Sequence, residues 1–349
     1  MAEAASANTM VGNMGAGWMA GPDMPHGGMV SAMRRRFPGA PEPFLDLSTG
    51  INPVPYPMPD LPADCLTRLP DAAAMAELQR VAARAYGVAD TAMVVAAPGT
   101  QILIGLLPFL LPRVASVAIV SPTYGEHRAA WTHAGYDPAE IGGLAERGVA
   151  ACVVLCNPNN PDGLRHDPAV LVRLADALGA RGGMLVVDEA FADLEEPGLS
   201  LAPFLPHPSV VVLRSFGKTY GLAGVRLGFA LAAPGLADRL RRALGPWAVS
   251  GGAIAVGSAA LADAGWRWAA VARLDRDIAA LDGIAGRAGL ALVGGTRLFR
   301  LYAGEAAADV HERLGRQGIM TRRFMGQPRW LRLGLPGTAA AWERLRAAI

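Results

Sequence analysis

The sequence is poor in cysteine, in histidine and in long uninterrupted apolar runs. Its three cysteines cannot form a disulfide framework, which favours a reducing compartment. The six histidines are scattered, so we predict no metal site. The most apolar window, residues 102–120, contains two prolines and an arginine and is better divided into a helix and a strand than taken as a membrane span. These absences predict a cytoplasmic protein with no membrane partner.

Strong charge of either sign is lacking too. Charged residues make up 18% of the 349 residues and the formal net charge is +2, which argues against a nucleic-acid partner. Hydrophobic residues make up 52%, enough for the core of one large α/β unit and a smaller one. Residues 1–25 have neither the basic start nor the continuous apolar stretch of a secretory signal, and we expect them to be flexible.

Lysine occurs once, at Lys218, among 32 lysine and arginine residues. An amine can lose its proton and attack a carbonyl to form a Schiff base, whereas a guanidinium stays charged and cannot. Lys218 follows the apolar run 210–213 and stands among small residues, with hydroxyl groups and Arg226 nearby in the chain. This setting suits a cofactor that carries both an aldehyde and a phosphate.

Short apolar runs alternate with helical stretches rich in alanine, leucine and arginine in the first two thirds of the chain. This alternation predicts a mostly parallel sheet covered by helices on both faces. The predicted strands are 93–96, 117–120, 151–155, 184–187, 210–213 and 226–231. From residue 251 the pattern changes to a long helical stretch and then short strands around 298–302 and 330–333. We therefore predict a large domain of residues 50–250 and a smaller α+β domain of residues 26–49 with 251–349.

Four of the predicted strands end at residues with chemical functions. The carboxyl ends of parallel strands meet at one edge of a sheet, which is where ligands bind. After the first strand, the turn at residues 99–101 opens a helix, whose free N–H groups can hold a phosphate. Asn160 follows the third strand, and Asp188 closes the fourth, where a buried carboxylate requires a cationic partner such as a protonated pyridine nitrogen. The fifth strand leads to Lys218.

The combined motifs resemble the fold-type I pyridoxal-phosphate enzymes, which include the class I and II aminotransferases. Ser215 precedes Lys218 by three residues and Arg226 follows it by eight, after an Asn-Pro-Asp-Gly motif that begins at Asn160 and an aspartate, Asp188, 28 residues further on. The resemblance covers the chain from about residue 26 to the C-terminus. It implies a pyridoxal 5'-phosphate cofactor and a homodimer whose sites lie between subunits.

The resemblance also implies roles for the matching residues. Lys218 would form the Schiff base and move protons, and Asp188 would hold the pyridinium proton. Asn160 would bind the ring oxygen, and Tyr124 would stack on the ring face. The cofactor's phosphate would be held by Gly99, Thr100, Gln101, Ser215 and Arg226. The candidates for binding a substrate's anions are His26, Asn52, Arg322, Arg323 and Arg332, the last as a bidentate clamp on the carboxylate.

Two positions depart from the aminotransferase pattern. Phe191 stands where many of those enzymes have a tyrosine that touches the ring oxygen, and Leu69 stands where they often have a tyrosine for the partner subunit's phosphate site. The N-terminal segment, with its His26-Gly-Gly motif and residues 46–53, is instead similar to the threonine-phosphate decarboxylases of cobalamin biosynthesis. That resemblance implies conversion of L-threonine O-3-phosphate to (R)-1-amino-2-propanol phosphate, and we predict this function.

Two other functions stay open at this level. An aminotransferase of the histidinol-phosphate type would use most of the same residues, because the bond that breaks depends on how the substrate's anions are held. A non-catalytic cofactor-binding or scaffold protein in corrinoid assembly is a further alternative. Lys218 argues against it, since binding alone needs no Schiff-base lysine.

Overall fold

The computed structural model describes residues 27–349. His26 and the segment predicted to be flexible, residues 1–25, lie outside this range. The α-helices are α1 (Val30–Arg36), α2 (Ala72–Tyr86), α3 (Thr100–Leu110), α4 (Glu126–His133), α5 (Pro168–Gly179), α6 (Phe216–Thr219), α7 (Pro234–Leu244), α8 (Gly251–Ala262), α9 (Ala264–Arg287), α10 (Ala307–Arg316) and α11 (Ala339–Ala348). The strands are β1 (Leu45–Asp46), β2 (Val94–Ala97), β3 (Val117–Val120), β4 (Ala139–Ile141), β5 (Cys152–Cys156), β6 (Met184–Asp188), β7 (Val210–Ser215), β8 (Gly228–Ala232), β9 (Ala291–Thr296), β10 (Phe299–Ala303), β11 (Ile319–Met320), β12 (Arg322–Phe324) and β13 (Gln327–Gly334).

Seven strands form the central sheet, in the order β2-β8-β7-β6-β5-β3-β4. β8 runs antiparallel to both of its neighbours, and the other six strands run in one direction. Six of the seven strands are buried along their whole length, because helices cover both faces of the sheet. The predicted α/β class with a mostly parallel sheet is therefore confirmed.

The strand β8 differs in one respect from its prediction at residues 226–231. It begins only at Gly228, and Arg226 precedes it with a backbone φ of 56°, in the left-handed region. Since β8 is antiparallel, its beginning lies at the sheet edge where β7 and β2 end. Arg226 therefore still reaches the edge that carries the predicted ligand residues, although the sequence pattern had placed it inside a strand.

Two apolar cores lie on the two faces of this sheet. One packs the sheet against α2, α5 and α8, and the other packs it against α3, α4 and α7. The sequence placed residues from 251 onward in the smaller unit, but α8 packs against α2 within the larger core. Its sequence is apolar on all sides, so it can be buried on several sides at once. The packing of the larger unit thus continues to Ala262.

The smaller unit is built around an antiparallel sheet in the order β12-β13-β10-β9. Helices α9, α10 and α11 pack on it and form a separate apolar core. The N-terminal segment joins this unit through β1, which pairs in parallel with β11. No helix within residues 27–349 is both long and apolar enough to span a membrane.

Candidate active site

A cavity of about 1010 Å³ opens at the carboxyl edge of the central sheet and is closed on its other side by β12 and β13. Most of the predicted site residues line this one space, although they come from many separate segments of the chain. They are Gly99, Thr100, Gln101, Tyr124, Asn160, Asp188, Ser215, Lys218, Arg226, Arg322, Arg323 and Arg332. The fold therefore brings together the predicted cofactor end and the predicted substrate end.

The phosphate end of the cavity depends on two glycines. A Cβ atom on Gly99 would lie 2.7 Å from Nη2 of Arg226, and one on Gly228 would lie 2.7 Å from the amide nitrogen of Thr100. A larger residue at position 99 would thus displace the guanidinium, and one at position 228 would displace the N-terminus of α3. The free N–H groups of that helix end, with the guanidinium and the Ser215 hydroxyl, form the donor set that a phosphate prefers.

Asp188 and Lys218 lie at the ends of neighbouring parallel strands, β6 and β7. The buried Asp188 accepts a 3.0 Å hydrogen bond from the Ala190 N–H. Burial alone would raise the pKa of the Asp188 carboxyl, but His127 and the positive charge of Lys218 hold it below its usual range. Burial lowers the pKa of Lys218, although Asp188 opposes this effect. The lysine thus loses its proton more readily than a surface lysine, as a Schiff-base nucleophile must.

His127 is a site residue that the sequence reasoning missed. Its Nε2 atom lies 3.0 Å from Oδ2 of Asp188, and both side chains are buried. Burial alone would lower the pKa of His127, but Cys156 and the hydrogen bond with Asp188 raise it to about 10. The side-chain atoms of His127, Cys156 and Asp188 that are able to bind a metal ion lie within 4.8 Å of one another. The prediction of no metal site stays a prediction.

Tyr124 lies beside this group at the start of α4. Its hydroxyl donates a 3.1 Å hydrogen bond to Oε1 of Gln101, and its ring meets His127 edge to face. Burial raises the pKa of Tyr124 to about 12, so the phenol stays protonated at neutral pH. The ring is therefore held at the cavity wall, as a stacking role would require.

Arg332 lies at the predicted substrate end of the cavity, next to Asn160. It is 6% exposed, and its guanidinium donates hydrogen bonds to Oδ1 of Asn160 and to the Ser48 carbonyl (2.8 Å), above the ring of Phe299. Within residues 27–349 no carboxylate lies within salt-bridge distance of it, and its Nε has no hydrogen-bond partner there. Burial, helped by the charge of Arg322, lowers the pKa of Arg332 to about 9. The guanidinium thus stays charged at neutral pH.

One predicted substrate residue, Asn52, does not line the cavity, and another, His26, lies outside the described residues. Asn52 is buried away from the cavity lining, where its Nδ2 group donates to the Thr219 carbonyl (2.9 Å) and its backbone N–H donates to the Lys218 carbonyl (2.9 Å). Its Oδ1 accepts a 2.8 Å hydrogen bond from Arg273 of α9. Asn52 thus holds the turn that carries Lys218.

Comparison with known proteins decides the family. Residues 64–349 match the family model of class I and II aminotransferases. The chain belongs to this family. Within it, the threonine-phosphate decarboxylase of a Sinorhizobium species is 42% identical over 93% of this chain and 97% of the relative. Its counterpart from Pseudomonas aeruginosa is 41% identical over 93% and 96%. A histidinol-phosphate aminotransferase of Symbiobacterium thermophilum is 33% identical over 72% and 70%.

Solved structures of the class I and II aminotransferase type share the fold. Histidinol-phosphate aminotransferase from Sinorhizobium meliloti, in complex with pyridoxal-5'-phosphate, superposes with a TM-score of 0.76 at 24% identity, over 91% of this chain and 92% of that one. L-threonine-O-3-phosphate decarboxylase from Porphyromonas gingivalis gives a TM-score of 0.70 at 19% identity, over 87% and 98%. The predicted family and fold are therefore confirmed.

Proposed function

We propose that this chain is a pyridoxal-phosphate-dependent decarboxylase that converts L-threonine O-3-phosphate to (R)-1-amino-2-propanol phosphate and carbon dioxide. The observation that carries the choice of reaction is the 41–42% identity, over 93% of the chain, with relatives named threonine-phosphate decarboxylase. The predicted substrate type, a phosphorylated amino acid, agrees with those names. The predicted place in cobalamin biosynthesis follows from the same resemblance.

The residues of the cavity fit the cofactor. The Gly99 turn, Ser215 and Arg226 would hold its phosphate, and Lys218 would attack its aldehyde carbon. When bound, pyridoxal phosphate accepts into its ring the electron pair that is left when the carboxylate departs. Asp188 would keep a proton on the ring nitrogen, because its depressed pKa makes it a carboxylate at neutral pH. His127 fixes Oδ2 of that carboxylate.

The arginines would select the bond that breaks. A substrate with a carboxylate and a phosphate monoester carries up to three negative charges, and the cavity lining includes Arg322, Arg323 and Arg332. The fork of Arg332 suits bidentate contact with one anion. Holding the phosphate at one arginine fixes where the carboxylate lies relative to the ring. Lys218 would then return a proton to the carbon from which carbon dioxide has left.

We also propose that the chain works as a homodimer in the cytoplasm, as the sequence predicts. The proposal rests on the family resemblance. Exposed apolar side chains in the segment before α2 support it, among them Leu66 and Leu69, which are 81% and 67% exposed. Size-exclusion chromatography with light scattering tests this point, and a monomer at micromolar concentration would contradict it.

The test of the reaction is a product assay of the purified, cofactor-loaded chain with L-threonine O-3-phosphate, with and without 2-oxoglutarate. We expect carbon dioxide and aminopropanol phosphate without the keto acid, and neither product from the Lys218→Arg control. Glutamate formed from histidinol phosphate and the keto acid, without carbon dioxide, would establish an aminotransferase instead. Cofactor binding without turnover of either amine would favour a non-catalytic protein.

A further inference from the structure

Three residues of the cofactor end have chain neighbours that turn away from the cavity into one buried cluster. The pairs are Asp188 with Glu189, Ser215 with Arg214, and Lys218 with Thr219. The first member of each pair lines the cavity and the second does not. For the first two pairs this follows from the strand ends, because successive side chains of an extended strand point to opposite sides. Lys218 and Thr219 belong to the short helix α6, where successive side chains point about 100° apart.

Arg214 is the centre of this cluster. Its Nη1 group lies 2.5 Å from Oε2 of Glu189, and its Nη2 group binds Oδ1 of Asp193. The other oxygen of Asp193 accepts a 2.9 Å hydrogen bond from the Thr219 hydroxyl. Ser200 donates to Glu189 (2.5 Å) and accepts from Arg214 (3.0 Å). The guanidinium thus connects β7 with the segment after β6, and Asp193 connects that segment with the turn that carries Lys218.

The cluster is deeply buried. Glu189 is fully buried and Arg214 is 5% exposed, with its guanidinium 4.7 Å from the centre of the Tyr86 ring. Burial raises the pKa of Glu189, whereas the charges of Asp193 and Glu189 raise the pKa of Arg214 against the effect of its own burial. Charges taken out of water are stable only with close partners, so this geometry leaves little freedom to the segments that carry them.

We propose that Arg214 is a positioning residue, which holds Asp188 and Lys218 in a fixed relation through Glu189, Asp193 and Thr219. Arg214 touches neither the cavity nor its contents and acts through the backbone of its partners. The inference rests on the proposed cofactor chemistry, since it concerns how the ring nitrogen's partner and the Schiff-base lysine are held together. The buried ion pairs of Arg214 with Glu189 and Asp193 then serve the reaction as well as the stability of the fold.

The test is a pH titration of the visible absorbance of the lysine-bound cofactor, without substrate, in the cofactor-loaded chain. Thr219→Val removes the hydroxyl that joins the Lys218 turn to Asp193 while keeping the shape of the side chain. Because the negative charge of Asp188 favours the protonated lysine nitrogen, loosening this link should lower the midpoint by about half to one pH unit. kcat should fall about tenfold, with KM within about twofold of wild type. Arg214→Lys, which cannot bridge two carboxylates, should lower the midpoint further.

Thr296→Val is the matched control, since Thr296 is also buried and its hydroxyl makes one hydrogen bond, from the Leu298 N–H at 3.1 Å, outside the cavity. Thr296→Val should keep the wild-type midpoint and kcat, even if it lowers the melting temperature as much as Thr219→Val does. Equal midpoints in wild type, Thr219→Val and Thr296→Val would overturn the inference and leave the proposed reaction intact. A wild-type chain without the absorbance band would overturn both.

Discussion

The two ends of the cavity differ in how their charges are balanced. At the cofactor end, Asp188 faces His127 at 3.0 Å and the charge of Lys218, so positive and negative groups stabilise each other. At the substrate end, Arg332 contacts an amide oxygen, a backbone carbonyl and an aromatic ring, and the nearby charge of Arg322 opposes its own. Among residues 27–349, Asp188 thus has positive partners close by, whereas Arg332 has no carboxylate within salt-bridge distance and only the more distant Asp46 favours its charge.

This difference has an energetic consequence. A buried charge without a counter-charge destabilises the folded chain. For the same reason, removing one member of a buried ion pair is costly, because the other charge is left unbalanced. The buried charge of Arg332 therefore lowers the stability of the folded chain, and an anionic substrate would offset this loss on binding. The group of Asp188, His127 and Lys218 needs no ligand to balance its charges. The same kind of substitution should thus have opposite effects on stability at the two ends.

The largest effect is expected for Lys218→Ala. Turnover should fall by about 10⁴-fold, because this variant removes the group that bonds to the cofactor and returns the proton. Since Lys218 is the only lysine, borohydride reduction of the loaded wild-type chain should label one internal peptide, and the variant none. Steady-state kinetics and peptide mapping make the measurement. Normal turnover in the variant would refute the assignment of the cofactor end.

The substrate end is tested by Arg332→Gln. We expect the affinity for L-threonine O-3-phosphate to fall about 100-fold or more, because the substrate anion would lose a buried bidentate partner. Arg329→Gln is the matched control, since Arg329 is on the same strand and forms an exposed pair with Glu305. It should bind substrate as wild type does. Equal losses in both variants, measured by calorimetry, would contradict the role of Arg332.

Two buried histidines offer a comparison by pH. The pKa of His127 is raised to about 10, so its contribution to stability is complete below pH 6.5 and is lost as the pH rises towards 10. The pKa of His311 is lowered to about 4, chiefly by burial, so its contribution is complete above pH 6.5 and is lost as the pH falls towards 4.

Denaturant unfolding of wild type, His127→Asn and His311→Asn from pH 4.5 to 9.5 measures these contributions. The free energy of unfolding lost in His127→Asn should shrink by about 1–3 kcal/mol at high pH, and that lost in His311→Asn should shrink at low pH. Parallel curves for the three proteins would show that neither histidine has a perturbed pKa.

The smallest effect is expected for Asn52→Ala. Because the Asn52 side chain holds the Thr219 carbonyl and accepts from Arg273 but does not line the cavity, kcat should fall about fivefold while KM for the substrate stays constant. A raised KM with unchanged kcat would instead support the sequence prediction that Asn52 contacts the substrate. Steady-state kinetics distinguish the two results.

Much of the cofactor end could be predicted from the sequence, because apolar runs reveal buried strands and polar residues at their ends share one edge. Asp188 and Lys218 were predicted in this way, and both line the cavity. Arg226 was predicted inside a strand, since no local pattern indicates that an arginine will adopt left-handed backbone or that β8 will run antiparallel. The edge strand β4 was not predicted, because two of its three residues are exposed and it carries no apolar run.

Residues whose roles depend on contacts distant in the chain could not be predicted. His127 lies 61 residues from its partner Asp188, and nothing around it distinguishes it from a core histidine. The same holds for Arg214, which in sequence is one more residue of a buried strand. Hydrogen bonds of this kind depend on the packed fold, and a single sequence does not record them.

The most direct test of the account is the free energy of unfolding of Asp188→Asn and Arg332→Gln, measured in one buffer on the chain without cofactor and without substrate. Asp188→Asn should lower it by about 2–3 kcal/mol, since His127 and Lys218 lose their counter-charge, and Arg332→Gln should raise it by about 1 kcal/mol. A similar decrease in both variants would contradict the claim that the charge of Arg332, unlike that of Asp188, is left to be balanced by a ligand.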